Sequence, residues 1–344
     1  MTHGISTRLV AEPSRPIKLK CLLVLNPSAI ISYLEDWIMQ SKPWLYRPVT
    51  ASRCAVCILQ DVYSGAEAAG IDEEKRFEVL RQTLSMLHQD FHVSEMPSTY
   101  ITRAHRILKN VSGMQDPFRH VREVCNRVCI RLAAKLAEEA AGIDDCYERF
   151  RYLAKWAVAA NAMDIRMVGA GYILNSNLLS RRLRQVYEEE LAVDELEEIF
   201  QLLPKTKHVL YVLDNVGEVA VDRLLVEELQ AAGITVTVAV RGGPLTSDVT
   251  IDDAVAAGFD HSSMRLITTG PDTLGITFDE MSEEFRDETE QADLVIGKGQ
   301  ANFYAFCQNR SVFHGKIAAL LRTKCEVISS IFGCRGNIGI AVLI

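Results

Sequence analysis

The sequence is short of several things that would place it quickly. Its 344 residues carry no excess of positive charge: Lys+Arg 37 against Asp+Glu 45 leaves a net charge of −8. That balance argues against a nucleic-acid binder that relies on a broad basic surface. No apolar run approaches the roughly 18 to 20 residues needed to cross a bilayer. The opening MTHGISTRLVAEPSRPIKLK lacks the apolar core of a secretory signal. The eight histidines are scattered, with no HxH or HExxH pattern, and no GxSxG, Walker A or GxGxxG sequence is present. Histidine–metal, serine-nucleophile and P-loop chemistry therefore have little support. Repeats and low-complexity tracts are missing too. The chain reads as soluble and cytoplasmic.

What is present is ordinary core material. An apolar content of 48% is enough for a sizeable interior, and the length suits two domains or one large one. Nine cysteines, odd in number and irregular in spacing, do not resemble a secreted disulfide framework and read as free thiols. Cys54 and Cys57 form a CxxC pair without a second pair at zinc-ribbon spacing, and Cys125 and Cys129 stand one helical turn apart. Both pairs fit a buried structural role better than a zinc site.

The chain changes character twice. Residues 1–50, broken by Pro13, Pro16, Pro27, Pro43 and Pro48, read as an irregular extension with one short helix around Ile30 to Gln40. Residues 51–165 read as an all-helical domain of four to six helices. In one of them Phe77, Leu80, Leu84 and Leu87 recur at spacings of three and four. Residues 166–344 read as an α/β domain. From His208 on, the runs HVLYVLDN, ITVTVAVRG, MRLITTG and DLVIGKG are strands separated by helical stretches. That alternation predicts a mostly parallel sheet flanked by helices in three layers.

In such a sheet, ligands lie beyond the carboxyl ends of the strands. The first strand ends in Asp214-Asn215 and leads through Gly217 into a helix opening with Glu218. The second ends in Arg241-Gly242-Gly243 with Asp248 soon after, and the fourth ends in Lys298 between two glycines. Asp214, Asn215 and Asp248 supply hard oxygens suited to Mg²⁺ or Mn²⁺, with positions left over for water and a phosphate. Backbone N–H groups near Gly217 and the Lys298 ammonium could take the remaining phosphate charge. Each residue also has a plainer reading. Asp214 alone suits a helix N-cap, but the neighbouring Asn215 and Asp248 favour a metal. Thr250 and Asp253 resemble a capping box, so Asp252 and Asp253 read as structural. Glu218 serves equally as a first-turn acid or as a partner of the site. Arg241 serves equally as a phosphate contact or as a solvated side chain. By spacing alone, Asn161 and Asp164 read as the end of one helix and the cap of the next segment.

LDNVGEVAVDRLLVEEL closely resembles a signature of the metal-dependent damage-control phosphatases, long known only as a domain of unknown function. CAVCILQ, ANAMD, VRGGPLTSDVTIDDA, IGKGQANF and LRTKCEVISSIFG match in order along residues 51 to 340. Two departures stand out: some 50 residues precede Cys54, and Ala301 stands in the usual KGQGN pattern. The resemblance implies a three-layer α/β core behind a helical amino-terminal domain. It also implies one divalent cation, Mn²⁺, Mg²⁺, Co²⁺ or Ni²⁺, held by Asp214, Asn215 and Asp248. The implied activity is hydrolysis of small phosphometabolites such as sugar phosphates. It makes Asn161, Asp164 and Lys298 candidates for contact with substrate or phosphate, beside Gly217, Glu218 and Arg241 from the strand-end reading. The expected catalytic residues are Asp214, Asp248 and Lys298. The expected partner is a small phosphorylated metabolite, not nucleic acid or a membrane; nothing in the sequence sets the oligomeric state. Some relatives were once proposed to methylate protein carboxylates, although the glycine-rich strand–turn–helix loop of a nucleoside-cofactor site is not visible here. A non-catalytic binder of phosphate esters is the third reading.

Overall fold

The computed structural model describes Lys42 and residues 49–344, apart from 164–165, 168–170, 173–175 and 261–263. The chain divides into two units, Met1–Pro43 and Trp44–Ile344, and the described residues from Val49 onward belong to the second. The expected extension therefore lies outside the described residues except at Lys42, Val49 and Thr50. Among the described residues no helix is long and apolar enough to cross a membrane.

Five helices come first: α1 (Ser52–Ala68), α2 (Glu73–Asp90), α3 (Pro97–Ser112), α4 (Arg119–Ala141) and α5 (Cys146–Ala160). Local chemistry fixes where several begin. Asp72 accepts from Lys75 N at 2.9 Å and Asp145 from Glu148 N at 2.9 Å, so each caps the helix that follows it. The helix expected near Asp72 to Asp90 forms, but its buried face differs from the expected stripe. Phe77 and Leu84 are 68% and 53% exposed, while Val79, Thr83, Met86 and Leu87 are buried. Two overlapping stripes satisfy the three–four spacing, and packing against α1 and α3 selects the one through Val79 and Met86.

After a short hairpin, β1 (Arg166–Met167) and β2 (Gly171–Tyr172), and helix α6 (Ser176–Glu188), the α/β core begins. It runs β3 (Val193–Asp194), α7 (Leu196–Leu202), β4 (His208–Val212), α8 (Glu218–Ala231), β5 (Thr235–Val240), α9 (Ile251–Ala256) and β6 (Arg265–Thr268). It continues α10 (Glu283–Gln291), β7 (Leu294–Lys298), α11 (Gly299–Gln308), β8 (Lys316–Arg322), α12 (Glu326–Ser329) and β9 (Gly339–Leu343). The seven strands lie in the order β3-β9-β8-β7-β4-β5-β6. Every neighbouring pair is parallel except β8 with β9. The α/β class and the mostly parallel sheet are thus as the alternation implied.

Both faces of the sheet are covered, which is why its strands are nearly all apolar. Alternate residues of β4 divide between the faces. Val209 and Tyr211 join one core with Trp156 of α5 and Leu225 of α8; Leu210 and Val212 join the other with Phe303 and Phe306 of α11. A third core, around Ile58, Val79, Tyr100 and Phe118, fills the space between α1 and α4. Helix α4 belongs to both ends of this arrangement. Val121 and Cys125 pack in the helical core, whereas Val128 to Ala140 pack over the sheet.

The strand order places the site. From β4 the chain proceeds to β5 and β6 on one side, and β7 and β8 lie on the other. The order therefore reverses between β4 and β7, where an open α/β sheet leaves a crevice beyond its carboxyl ends. Asp214 follows β4 and Gly299 follows β7, so both stand at that crevice.

Candidate active site

The two loops beyond β4 and β5 are joined backbone to backbone. Asn215 and Asp248 form an isolated antiparallel bridge, with Val216 N donating to Ser247 O at 2.7 Å and Val249 N donating to Asp214 O at 3.0 Å. Helix α4 grips both from outside. Arg122 donates to the carbonyls of Thr246 at 2.9 Å and Asp248 at 2.6 Å, and Asn126 Oδ1 accepts from Gly217 N at 2.8 Å. Arg122 also pairs with Asp253, whose carboxylate accepts from Thr250 N at 2.9 Å in the expected capping arrangement.

Asp214 does not cap α8, because Gly217, at φ +85°, occupies that position. Its carboxylate, 2% exposed, instead forms part of the wall of a cavity of about 230 Å³. Oδ2 accepts from Asn215 Nδ2 at 2.7 Å and from Asn161 Nδ2 at 3.0 Å, and Lys324 Nζ lies 3.7 Å away. Gly299 closes over the same carboxylate with φ +80°, and a Cβ there would overlap Oδ2. The bare glycine is what lets the β7–α11 turn pass so near Asp214.

The oxygens of the other two expected metal-ligand side chains have partners of their own. Asn215 Oδ1 accepts from Ser247 Oγ at 2.9 Å. Asp248, fully buried, accepts from Thr246 Oγ1 at 2.7 Å and from Gly275 N at 3.3 Å, and Arg241 Nε stands 3.4 Å from its Oδ1. Arg241 also donates to Asn302 Oδ1 at 3.0 Å, and its Nη1 is buried without a hydrogen-bond partner among the described residues. It lines a separate groove with Arg122 and Gly242, not the cavity beside Asp214.

Beneath the loops lies a closed set of charges. Glu218 accepts from Asn215 N at 2.7 Å, from Asn161 Nδ2 at 3.0 Å and from Lys298 Nζ at 3.0 Å. Lys298 also meets Asp222 at 2.9 Å, and Tyr211 donates its hydroxyl to Asp222 at 3.0 Å. All four residues are buried. Burial raises Asp222 to about 7, helped by the Glu218 charge and opposed by Lys298. Burial pulls Lys298 down, but the Asp222 and Glu218 carboxylates more than offset it and hold the ammonium above its usual value.

The sequence candidates therefore fall into groups. Asp214, Asn215, Asp248, Asn161, Glu218 and Lys298 share one hydrogen-bonded network around the joined loops, with Arg241 at its far side. Of these only Asp214 lines the cavity. Gly217 gives its N–H to Asn126, and Glu218 and Lys298 face each other. Asp164 lies outside the described residues. Sequence reasoning missed Lys324 and Asp222. Asp222 stands one helical turn after Glu218 and could have been found from that spacing. Lys324 follows β8, a strand that the alternation did not reveal, so no strand-end argument reached it.

Residues 50–337 match the family described as the damage-control phosphatase ARMT1-like domain. An uncharacterized protein of Methanocaldococcus jannaschii is 30% identical over 291 residues, 84% of this chain and 91% of that protein. A damage-control phosphatase of Archaeoglobus fulgidus is 30% identical over 288 residues, 83% of this chain and 95% of its own length. The crystal structure of a DUF89 family protein of Pyrococcus horikoshii superposes with a TM-score of 0.74 at 21% identity, covering 85% of this chain and 98% of the other. Fold, loop sequence and length of match agree: the chain belongs to the damage-control phosphatase ARMT1-like family.

Proposed function

We propose that the protein hydrolyses small phosphomonoesters with the help of one divalent cation held by Asp214, Asn215 and Asp248. The observation that carries this reading is Asp214 itself: a buried carboxylate on a cavity wall, oriented by two amides, with the Lys324 ammonium beside it. Two archaeal relatives named damage-control phosphatases support the phosphatase part of the reading.

The residues suit a hard cation. Their donors are carboxylate and amide oxygens without thiol or imidazole, the set preferred by Mg²⁺ and Mn²⁺. Among the described residues no three His, Cys, Asp or Glu side chains gather as a metal site; the donors proposed are two acids and the Asn215 amide. When bound, such an ion neutralises phosphoryl oxygens and makes a neighbouring water more acidic.

The chain's own groups do the rest. Lys324 binds a phosphate oxygen. Asn161 and Asn215 hold the Asp214 carboxylate in one orientation, and Glu218 fixes Asn215 by its backbone and side-chain N–H. Lys298 offsets the charge of Glu218 and Asp222 beneath. In the reaction the oxygen of water bonds to phosphorus, the ester P–O bond breaks, and the alcohol leaves with a proton. Stabilising charge that develops on the phosphoryl oxygens is the main task of such a site.

Asp214→Ala tests the reading. With Mn²⁺ or Mg²⁺ present, hydrolysis of p-nitrophenyl phosphate or a sugar phosphate should fall by roughly a hundred- to a thousandfold, the range for removing one such electrostatic group. The melting temperature should change little. Near-wild-type turnover by a folded Asp214→Ala protein defeats the assignment.

A further inference from the structure

Helix α3 carries two stripes with different neighbours. Tyr100, Ala104 and Leu108 pack in the helical core. Thr102, Arg106 and Lys109, spaced by four and three, share another stripe that is wholly polar. This second stripe meets the loop after β6. Arg106 donates from Nε to Asp272 Oδ1 at 3.2 Å and from Nη2 to the Asp272 carbonyl at 3.1 Å. It also binds Glu280 through Nη1 at 3.0 Å and Nη2 at 2.8 Å. Lys109 Nζ reaches Asp272 Oδ2 at 2.6 Å and the Pro244 carbonyl at 3.0 Å, so it holds the loop after β5 as well. Thr102 Oγ1 accepts from Leu274 N at 3.0 Å. Three residues on from Asp272 the same turn meets the site: Gly275 N donates to Asp248 Oδ1 at 3.3 Å. Thr273 Oγ1 closes the turn by donating to Gly275 O at 2.8 Å, and Leu274 between them lines the cavity at Asp214.

We propose that Thr102, Arg106 and Lys109 of α3 are positioning residues for Asp248, anchoring through Asp272 and Leu274 the turn whose Gly275 N–H holds one oxygen of that carboxylate. The inference rests on the reading of Asp248 as a ligand of the cation and deepens it, because it makes the helical layer a support of the ion site. A partner that fixes a ligand's orientation before the ion arrives raises affinity, since less freedom is lost on binding. The anchor is of the stronger kind. Two cations converge on one partly buried carboxylate, and Arg106 adds a bond to the backbone of the same residue. Every bond that α3 makes to the turn lies within three residues of the N–H facing Asp248.

Asp272→Asn tests this, because it weakens both ion pairs while Glu280 and Leu274 keep α3 docked. Glu228→Gln is the control. It weakens a pair of similar burial, Arg149 with Glu228 at 2.9 Å, which ties α5 to the end of α8 remote from Gly217. Mn²⁺ binding is read without substrate, from the loss of the free ion's electron paramagnetic resonance signal. Asp272→Asn should raise the dissociation constant about three- to tenfold, at or below the low end for removing a direct outer partner of a ligand. Glu228→Gln should change it by less than about twofold. No change in Asp272→Asn, or an equal change in Glu228→Gln, overturns the inference and leaves the phosphatase reading standing. Hydrogen exchange at the Gly275 amide supplies a reading that needs no ion. It should quicken at least about threefold in Asp272→Asn and stay at the wild-type rate in Glu228→Gln. If the wild-type protein binds no divalent ion, the metal reading of Asp248 falls, and exchange alone decides the positioning role: a faster Gly275 amide in Asp272→Asn supports it, and an unchanged one overturns it.

Discussion

Two lysines follow neighbouring strands of the same sheet and meet opposite surroundings. Lys298, the last residue of β7, is fully buried between Glu218 and Asp222. Lys324, two residues past β8, keeps 19% of its side chain exposed on the cavity wall, 3.7 Å from Asp214. The first has its charge balanced by the fold and nothing left to offer a ligand. The second faces a space into which an anion can come. Position at a strand end brings a lysine to the rim; the acids around it decide whether it supports the site or serves it.

Replacing each lysine separates these roles, and the largest effect should fall on stability. Lys298→Met leaves two buried carboxylates without their cation and should cost about 3–5 kcal/mol in urea denaturation. Lys324→Met touches a partly exposed pair and should cost about 1 kcal/mol or less, while lowering phosphatase activity about a hundredfold. A stable Lys298→Met protein alongside an unstable Lys324→Met protein inverts the comparison.

The buried cluster should also carry a pH signature. Asp222 is raised to about 7 in the folded chain, with burial the largest cause. An unfolded Asp titrates near 3.9. Between roughly pH 4 and 7 the folded state therefore binds the extra proton. The contribution of this group to stability is thus fully present below pH 4 and is lost as the pH rises through 7. Asp222→Asn removes that loss and keeps an acceptor for Tyr211 and Lys298. Between pH 4.5 and 7.5 its stability relative to wild type should improve by roughly 2–4 kcal/mol. A constant difference across that range shows that Asp222 is ionised throughout.

The same contrast shows what could be read in the sequence. The strand ends Asp214-Asn215 and Arg241, and the glycines beside Lys298, were legible because β4, β5 and β7 are apolar runs bounded by helices with clear starts. β8 and β9 were not, since KIAALLR and GIAVL sit among short turns and 3₁₀ segments with no helix of ordinary length between them. Lys324 was hidden with them. Spacing cannot assign a charge to a partner either. Lys298 between glycines looked open to a phosphate, yet Asp222, buried on α8 beside Glu218, takes up its ammonium. Which residues share the crevice depended on strand order, a tertiary property that the linear text does not carry.

Gly299 marks the point where the two regions touch. It begins α11 immediately after Lys298 and lies over Asp214 at φ +80°. Gly299→Ala meets both a disfavoured backbone region and the Asp214 carboxylate, so it should cost about 1–3 kcal/mol. Activity should fall by more than the loss of folded protein explains, because Asp214 must move to admit the new methyl group. Wild-type kcat/KM in the folded fraction argues that the carboxylate has room elsewhere, and the close fit described above then has no bearing on turnover.

The smallest expected effect tests the arm of the site farthest from the cavity. Thr246 donates its hydroxyl to Asp248 Oδ2 at 2.7 Å. Thr246→Val keeps the shape and removes that bond, so stability should drop by about 1 kcal/mol. If Asp248 shares a cation with Asp214 and Asn215, loosening it should also raise the Mn²⁺ concentration needed for half-maximal activity about tenfold, as loss of an outer partner does at other metal sites. Arg241, 3.4 Å from the other oxygen, stays in place beside Asp248. An unchanged Mn²⁺ requirement with the same loss of stability therefore assigns Asp248 to the architecture of the joined loops, and leaves Asp214 and Asn215 to hold the ion without it.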